Sequence, residues 1–181
     1  LWEVTEREET DQGTRLKLSS PEVEGVRTVR EYFFEKNSYL TTLNVIVENG
    51  QYRSRIGGVE EGWGIGWQGG FSQPEKRSRF TGQIQVAVGL ADDVRTKTVK
   101  EGDELIRYNT DIFWAGQEKK YFAAVLVPNP DKLASAVEIR ASRRNITREF
   151  QREEAQDPMS VVLYHPQETL EPNDITNLGY T

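Results

Sequence analysis

Apolar and polar residues alternate with a period of two over most of the chain. In the segment RTVREYFFEK, 27–36, Val29 and Phe33 fall on one face of a strand, and Tyr32 and Phe34 fall on the other. Strands are also predicted over 14–20, 39–48, 83–90, 103–109, 111–116, 121–128, 135–142 and 160–165. Short strands at this regular spacing predict an all-β antiparallel sandwich or barrel instead of a parallel α/β sheet.

Turn residues separate several of these strands. Asn37 and Ser38 are expected to turn the chain after the strand at 27–36. Asn49-Gly50 is the strongest local hairpin signal, because both central residues of a type I′ turn need positive φ. Further turns are predicted at 102–103 and at Gly116-Gln117.

The segment DIFWAGQEKKYFAAVLVPNP, 111–130, joins a tryptophan, a polar turn over 117–120 and an apolar run over 121–127. A membrane-spanning helix needs about 20 apolar residues, so this run is too short to be one. A brief apolar run rich in aromatic and β-branched residues predicts an interior strand that is buried on both faces. Pro128 lacks an amide hydrogen and is expected to end its pairing.

Three segments depart from the alternation. The segment GGVEEGWGIGWQGGFSQP, 57–74, is predicted to be a long irregular loop, and such loops are often functional. The best helical candidate is 142–156, because Ile146 and Phe150 lie four residues apart. The charged segment 3–13 is interpreted as a frayed start or the end of a short polar strand.

Length and composition limit the classes of protein to consider. The chain has 181 residues, which is enough for a core, and a single domain over 1–181 is expected. Its lack of cysteine excludes disulfides, iron–sulfur clusters and thiolate zinc sites. Its net charge of -6 argues against nucleic-acid binding. We find no signal peptide or spanning segment, and the start at Leu1 indicates a piece of a longer protein.

The glycine-rich part of the predicted loop contains GIGWQG, 64–69, which matches the letters of a dinucleotide-binding motif. That motif needs a strand before it and a helix after it, whereas here Gly70 and Pro74 follow and no helical pattern opens. The glycines are interpreted instead as allowing the backbone to bend near two tryptophans. Trp63, Trp67 and Phe71 form the candidate partner or ligand surface; packing is favoured for Trp67, and both packing and exposure remain open for Trp63.

The chain offers few residues for catalysis. His165 is its one histidine, so a Ser-His-Asp triad or a two-histidine metal site lacks parts, and an ordinary strand-end histidine is favoured. The adjacent acidic pairs, such as Asp92 and Asp93, point to opposite faces of a strand and do not make an acid and base pair. We therefore expect no catalytic residues, no metal and no cofactor.

The order of the motifs resembles a known family. The run DIFWAGQEKKYFAAVLVP is similar to the most recognisable segment of the non-cytoplasmic domain of the YidC membrane-protein insertase family, where a tryptophan, a small residue, glycine, a polar turn and KYF with an apolar tail ending in proline recur. The segments at 26–49 and 80–90 lie in the family's order, whereas 166–174 fits none of its motifs. The matching residues, expected to be structural, are Trp114, Gly116, Lys120, Tyr121, Phe122 and Pro128.

This resemblance implies a fold, a location and a function. The fold would be part of an antiparallel β-supersandwich of galactose-mutarotase-like architecture with little helix. The location would be the periplasmic face of the inner membrane, reached through spanning segments outside this chain. The function would be non-enzymatic support of membrane-protein insertion and folding, through contacts with Sec translocon components such as SecD–SecF and with membrane-protein clients.

Two other functions stay open at this stage. A carbohydrate-binding or mutarotase-like β-sandwich is suggested by the implied fold and by the tryptophans of 57–74, because flat aromatic faces stack on sugar rings. An envelope adhesin or structural β-module is a third reading. Fold alone does not decide among them.

Overall fold

The computed structural model describes residues 2–58, 62–68, 85–98, 105–119, 122–141 and 159–181. Within these ranges the chain forms fifteen strands, all of whose described pairings are antiparallel, and no helix. They are β1 (Glu3–Glu9), β2 (Gly13–Ser19), β3 (Val26–Glu35), β4 (Thr41–Asn49), β5 (Ser54–Ile56), β6 (Trp63–Gln68), β7 (Gln85–Gly89), β8 (Val94–Thr98), β9 (Ile106–Tyr108), β10 (Trp114–Lys119), β11 (Phe122–Leu126), β12 (Ala136–Ala141), β13 (Met159–His165), β14 (Glu168–Leu170) and β15 (Ile175–Tyr180). The prediction of an all-β antiparallel protein is confirmed. In the described ranges we find no helix with the length and apolar character needed to cross a membrane.

The strands fall into two compact units. The first contains Leu1–Trp63, Val127–Lys132 and Pro166–Thr181, and the second contains Gly64–Leu126 and Leu133–His165. Each unit therefore draws on separate stretches of the chain.

The first unit is built on a five-stranded antiparallel sheet in the order β1-β2-β3-β4-β15. The predicted meander is confirmed from β2 to β4, and the turn between β3 and β4 uses Asn37 with a φ of 60°. The charged start of the chain is a full strand, β1, whose side chains are all exposed. A small second sheet pairs β14 with β5.

The core of the first unit lies on one face of this sheet. Leu43, Val45 and Val47 alternate inward along β4, as their spacing predicts. Leu178 and Tyr180 of β15 lie opposite Val45 and Leu43 in register and are buried beside them. The pairing of β4 with β15 thus completes the apolar face with two strands that lie more than 120 residues apart in the sequence.

The predicted type I′ hairpin at Asn49-Gly50 is wrong. Neither residue has positive φ, and β4 pairs with β3 and β15 instead of with the strand that follows it. The Asn49 side chain is buried, and its amide nitrogen lies 2.8 Å from the Tyr52 carbonyl oxygen, 3.2 Å from that of Leu170 and 2.7 Å from that of Glu171. Asn49 therefore anchors two later segments to the end of β4.

The second unit contains two four-stranded sheets, in the orders β11-β10-β7-β8 and β6-β13-β12-β9. Strand β10 contacts β13, so the two sheets pack together inside this unit. Their inward residues make its core, which includes Val86, Val88, Ala115, Val137, Ile139, Val161 and Leu163. Alternation along each strand places these residues on the inner faces.

The predicted turn at Gly116-Gln117 is also wrong, together with the polar turn over 117–120. Strand β10 continues through both residues to Lys119, and Gln117 is only 2% exposed. Gln117 lies opposite Val86 in register, on the inward face of β10. A glycine next to polar residues looked like a turn, but cross-strand pairing on both sides keeps this segment extended.

The apolar run at 121–127 forms strand β11 over Phe122–Leu126, as predicted, but the described strands do not place it in the interior of a sheet. Among the described strands β11 pairs with β10 alone and stands at one end of the sheet order. Val125 and Val127 are 45% and 40% exposed. Pro128 does not end pairing either, because Val127 and Asn129 on its two sides bond to the end of β15.

Other predictions meet the described ranges only in part. The helix over 142–156 and the turn at 102–103 lie outside them. The strand predicted over 103–109 is the short strand β9. The irregular segment at 57–74 contains a strand, β6, over its described middle part.

Candidate functional site

The predicted aromatic loop is in part a strand. Trp63 and Trp67 are two of the residues of β6, which carries no charged residue and is the outer strand of its sheet among the described strands. Trp67 is 45% exposed, whereas Trp63 is half-buried. Trp67 is therefore the more accessible of the two rings, and the expectation that it packs stays a prediction. Phe71 lies outside the described residues.

The glycines of β6 serve a close approach of two backbones. A Cβ atom added at Gly64 would overlap the Leu163 carbonyl oxygen of β13, and one added at Gly66 would lie 2.8 Å from Val162 Cγ2. A larger residue at either place would push β6 away from β13. The motif letters of 64–69 begin in a strand instead of in a phosphate-binding loop, which explains the glycines without a nucleotide.

The family-motif residues that the structure describes lie in strands or in a bridge between strands. Trp114 begins β10, and its indole fills the space above Gly89, where an added Cβ would overlap the Trp114 indole nitrogen Nε1. Gly116 lies inside the same strand, and Phe122 begins β11. Pro128 is buried and bridges to Tyr180. Lys120 and Tyr121 lie outside the described residues.

The sheet of the first unit carries a shallow polar depression of about 340 Å³. Its lining includes Glu6, Arg15, Lys17, Glu31, Phe33 and Asn44. Lys17 pairs with Glu31 at 3.0 Å, and this hydrogen bond and charge raise the pKa of Lys17. The Arg15 guanidinium lies over the Phe33 ring at 5.8 Å, so one face of the ring is already occupied by the protein's own cation. The depression is thus poorly suited to stacking a sugar on Phe33.

The second unit contains a buried carboxylate between two arginines. Glu138 on β12 is 3% exposed; Arg140 of the same strand donates to it, and Arg107 lies opposite it on β9 with its guanidinium 3.9 Å away. The Arg107 guanidinium also lies 5.6 Å from the centre of the Tyr164 ring. A buried carboxylate needs such cationic partners. Glu138 and the two arginines therefore form an ion-pair cluster within the sheet.

The described residues contain no group of three or more His, Cys, Asp and Glu side chains that is placed to hold a metal ion. His165 is buried at the end of β13, where the sequence analysis places a strand-end histidine. The sequence analysis did not find the roles of Gly89 and Asn49. A glycine in a strand pattern is a signal for close approach, but its partner Trp114 is visible only after the register is known.

The comparisons with known proteins agree with the order of the motifs. The family described as the YidC periplasmic domain matches residues 1–172. A comparison with curated proteins gives no match. Because the family covers nearly the whole chain, this chain belongs to the family of YidC periplasmic domains, the non-catalytic domain of a membrane-protein insertase on the periplasmic side of the inner membrane.

Proposed function

We propose that this chain supports the insertion and folding of membrane proteins through protein–protein contacts that β6 makes. The carrying observation is the 45% exposed Trp67 ring on an outer strand without charge. Exposed tryptophans supply large contact area at little entropic cost and are frequent anchors of interfaces. Trp63 and Phe71 would extend the same contact surface.

The partners would be Sec translocon components such as SecD–SecF and the membrane-protein clients of the full-length insertase. Membership of the family supports this choice, since the domain belongs to an insertase. We further propose that 1–181 acts as one domain with the supersandwich architecture, and that segments outside the chain connect it to the membrane.

The test uses the full-length insertase with Trp67→Ala, beside Tyr39→Ala as a matched control. Tyr39 is a fully exposed aromatic of the turn between β3 and β4, so it reports the general effect of removing a surface ring. We expect Trp67→Ala to cost under about 1 kcal/mol of unfolding free energy. It should weaken co-purification with SecD–SecF by about 2 kcal/mol or more, which is roughly 30-fold. Tyr39→Ala should change neither quantity.

Two results would contradict the proposal. A loss of about 3 kcal/mol or more in stability for Trp67→Ala would assign the ring to packing. Unchanged association would remove β6 as the contact surface. The carbohydrate-binding alternative would use the same ring, and it predicts instead that Trp67→Ala abolishes a glycan-array signal while association with SecD–SecF stays constant.

A further inference from the structure

Three chain segments at one end of the five-stranded sheet each expose a large apolar side chain. The exposed residues are Val23 at 66%, Tyr52 at 74% and Ile175 at 67%. The segments, which we call the loop cluster, are 21–25 between β2 and β3, 50–53 after β4 and 171–175 at the start of β15. Single exposed apolar residues are ordinary, whereas a group of them on adjacent segments is typical of a binding surface.

Backbone hydrogen bonds join the three segments of the loop cluster. The Gly50 N–H donates to the Gly25 carbonyl, and the Asn173 N–H donates to the Gly50 carbonyl, both at 2.8 Å. Each of these bonded residues is two positions away from one of the exposed apolar residues. Two residues span at most about 7 Å, so the three apolar side chains are held in neighbouring positions.

The loop cluster is also fixed from within the first unit. The buried Asn49 amide donates to the carbonyls of Tyr52 and Glu171. Glu24 and Asn173 have φ angles of 52° and 66°. Such left-handed conformations are uncommon for residues other than glycine, and they persist where the surrounding structure imposes them. A surface that is already ordered in this way loses little conformational entropy on binding.

The loop cluster is acidic around its apolar side chains. Its segments contain four carboxylates and one cation, which gives a net charge of -3. They are Glu22, Glu24, Glu171, Asp174 and Arg53. Arg53 pairs with Glu171 at 3.0 Å, whereas Glu24 has no ion pair among the residues that the structure describes. Charge complementarity therefore favours a partner that combines apolar side chains with lysine or arginine.

We propose that the loop cluster binds a segment of a membrane-protein client that combines apolar side chains with lysine or arginine. The apolar side chains would contact the three exposed residues, with the Tyr52 ring as the main anchor. Glu24 and its acidic neighbours would attract the cations. A client exposes apolar segments before it folds, so the choice of a client rests on the proposed function. The surface differs from that proposal, because it is the loop cluster instead of β6.

The test titrates the full-length insertase with a short, labelled and capped peptide of alternating lysine and leucine residues. We expect fluorescence anisotropy to show binding that weakens as salt is added, because salt screens the attraction. Tyr52→Ala should bind the peptide at least about tenfold more weakly. Tyr39→Ala, at the opposite end of the same sheet, is the matched control and should bind as the wild type does.

A second pair of variants tests the charge. Glu24→Gln should weaken binding about threefold, whereas Glu8→Gln makes the same charge change on the exposed strand β1 and should leave binding unchanged. A peptide of alternating glutamate and leucine should bind at least about tenfold more weakly than the lysine peptide.

Three results would overturn the inference: no binding of the lysine peptide by the wild type, equal binding by Tyr52→Ala, or equal binding of the two peptides. Should Tyr52→Ala fail to fold, Val23→Ser carries the same test. If the lysine peptide does not bind while Trp67→Ala still weakens association with SecD–SecF, the inference is wrong and the proposed function stands.

Discussion

The Asn49 side chain connects the end of β4 with two other segments of the first unit. Its amide nitrogen faces three backbone carbonyls, those of Tyr52, Leu170 and Glu171. Buried carbonyls without a donor are costly, which makes this one amide more valuable than an ordinary surface hydrogen bond. The same asparagine looked like a turn residue in the sequence, because turn and anchor both exploit its short polar side chain.

We predict that Asn49→Ala lowers the free energy of unfolding by about 1–3 kcal/mol, because it removes the amide that bonds to all three carbonyls and leaves the buried bond to Leu170 unmade. Asn44→Ala on the same strand is the matched control. Among the residues that the structure describes, the Asn44 side chain makes no hydrogen bond and is half-exposed, so its loss should cost under about 0.5 kcal/mol. Urea denaturation of both variants measures the difference, and equal midpoints would exclude the anchoring role.

We predict a similar contrast between two glycines. Gly89→Ala should cost about 1–3 kcal/mol of stability, because the new methyl group would overlap the Trp114 indole. Gly179→Ala should be close to neutral, because the nearest atoms to its added Cβ lie 3.8 Å away. Thermal unfolding curves measure both. Tolerance of Ala at position 89 would mean that Trp114 does not occupy this space.

The buried Tyr180 phenol predicts how the free energy of unfolding depends on pH. Burial raises its pKa above the ordinary value of 10.0, so the folded chain keeps the phenol proton where the unfolded chain releases it. The stability linked to this proton is complete below pH 10 and falls as the pH rises further. Relative to Tyr180→Phe, the wild type should lose up to about 1.4 kcal/mol for each pH unit above 10.

Urea titrations at pH 8 to 11 measure this difference. Tyr180→Phe shifts the stability by a constant offset below pH 9, and only the change of that offset above pH 10 is informative. A constant offset at every pH would contradict the assignment of a buried phenol.

At the scale of strands, the central position of β4 should protect its amides from exchange with solvent. It is paired on both sides, by β3 and β15, whereas β1 is an outer strand with exposed side chains. Amides of central strands open only with larger unfolding events. We predict that the bonded amides of β4 exchange at least about 100-fold more slowly than those of β1 in native-state hydrogen exchange. Comparable exchange rates would contradict the central position of β4 in the five-stranded sheet.

Local pattern predicted the strands but not their partners. The local pattern found β2, β3, β4, β7, β9, β10, β12 and β13, and the continuous apolar run found β11. The pairing of β4 with β15 joins residues far apart in sequence, and no local signal contains it. The interior position predicted for β11 failed for the same reason: an apolar run reports that a strand forms, and its place in the sheet depends on other strands.

The candidate surface was predictable in composition and unpredictable in exposure. The tryptophans of β6 stood out in the sequence, but the exposed fraction of each ring depends on neighbours that the local pattern does not reveal. From the sequence, Gly64 and Gly66 are expected to let the backbone bend close to the two tryptophans. In the structure they are the reason that a strand fits there.

At the scale of the whole molecule, the chain is a YidC periplasmic domain built entirely of strands over its described ranges. We propose that it contacts partner proteins through β6 and Trp67. This role needs no catalytic group, which agrees with a non-catalytic domain of an insertase.

The most direct test of this account is site-specific photo-cross-linking in the full-length insertase within the inner membrane. A photoreactive amino acid replaces Trp67 in one variant and the fully exposed Tyr39 in a matched control. We predict that position 67 gives products containing SecD–SecF or membrane-protein clients, identified by mass spectrometry, and that position 39 does not. Products at position 39 with none at position 67 would contradict the assignment of β6 as the contact surface.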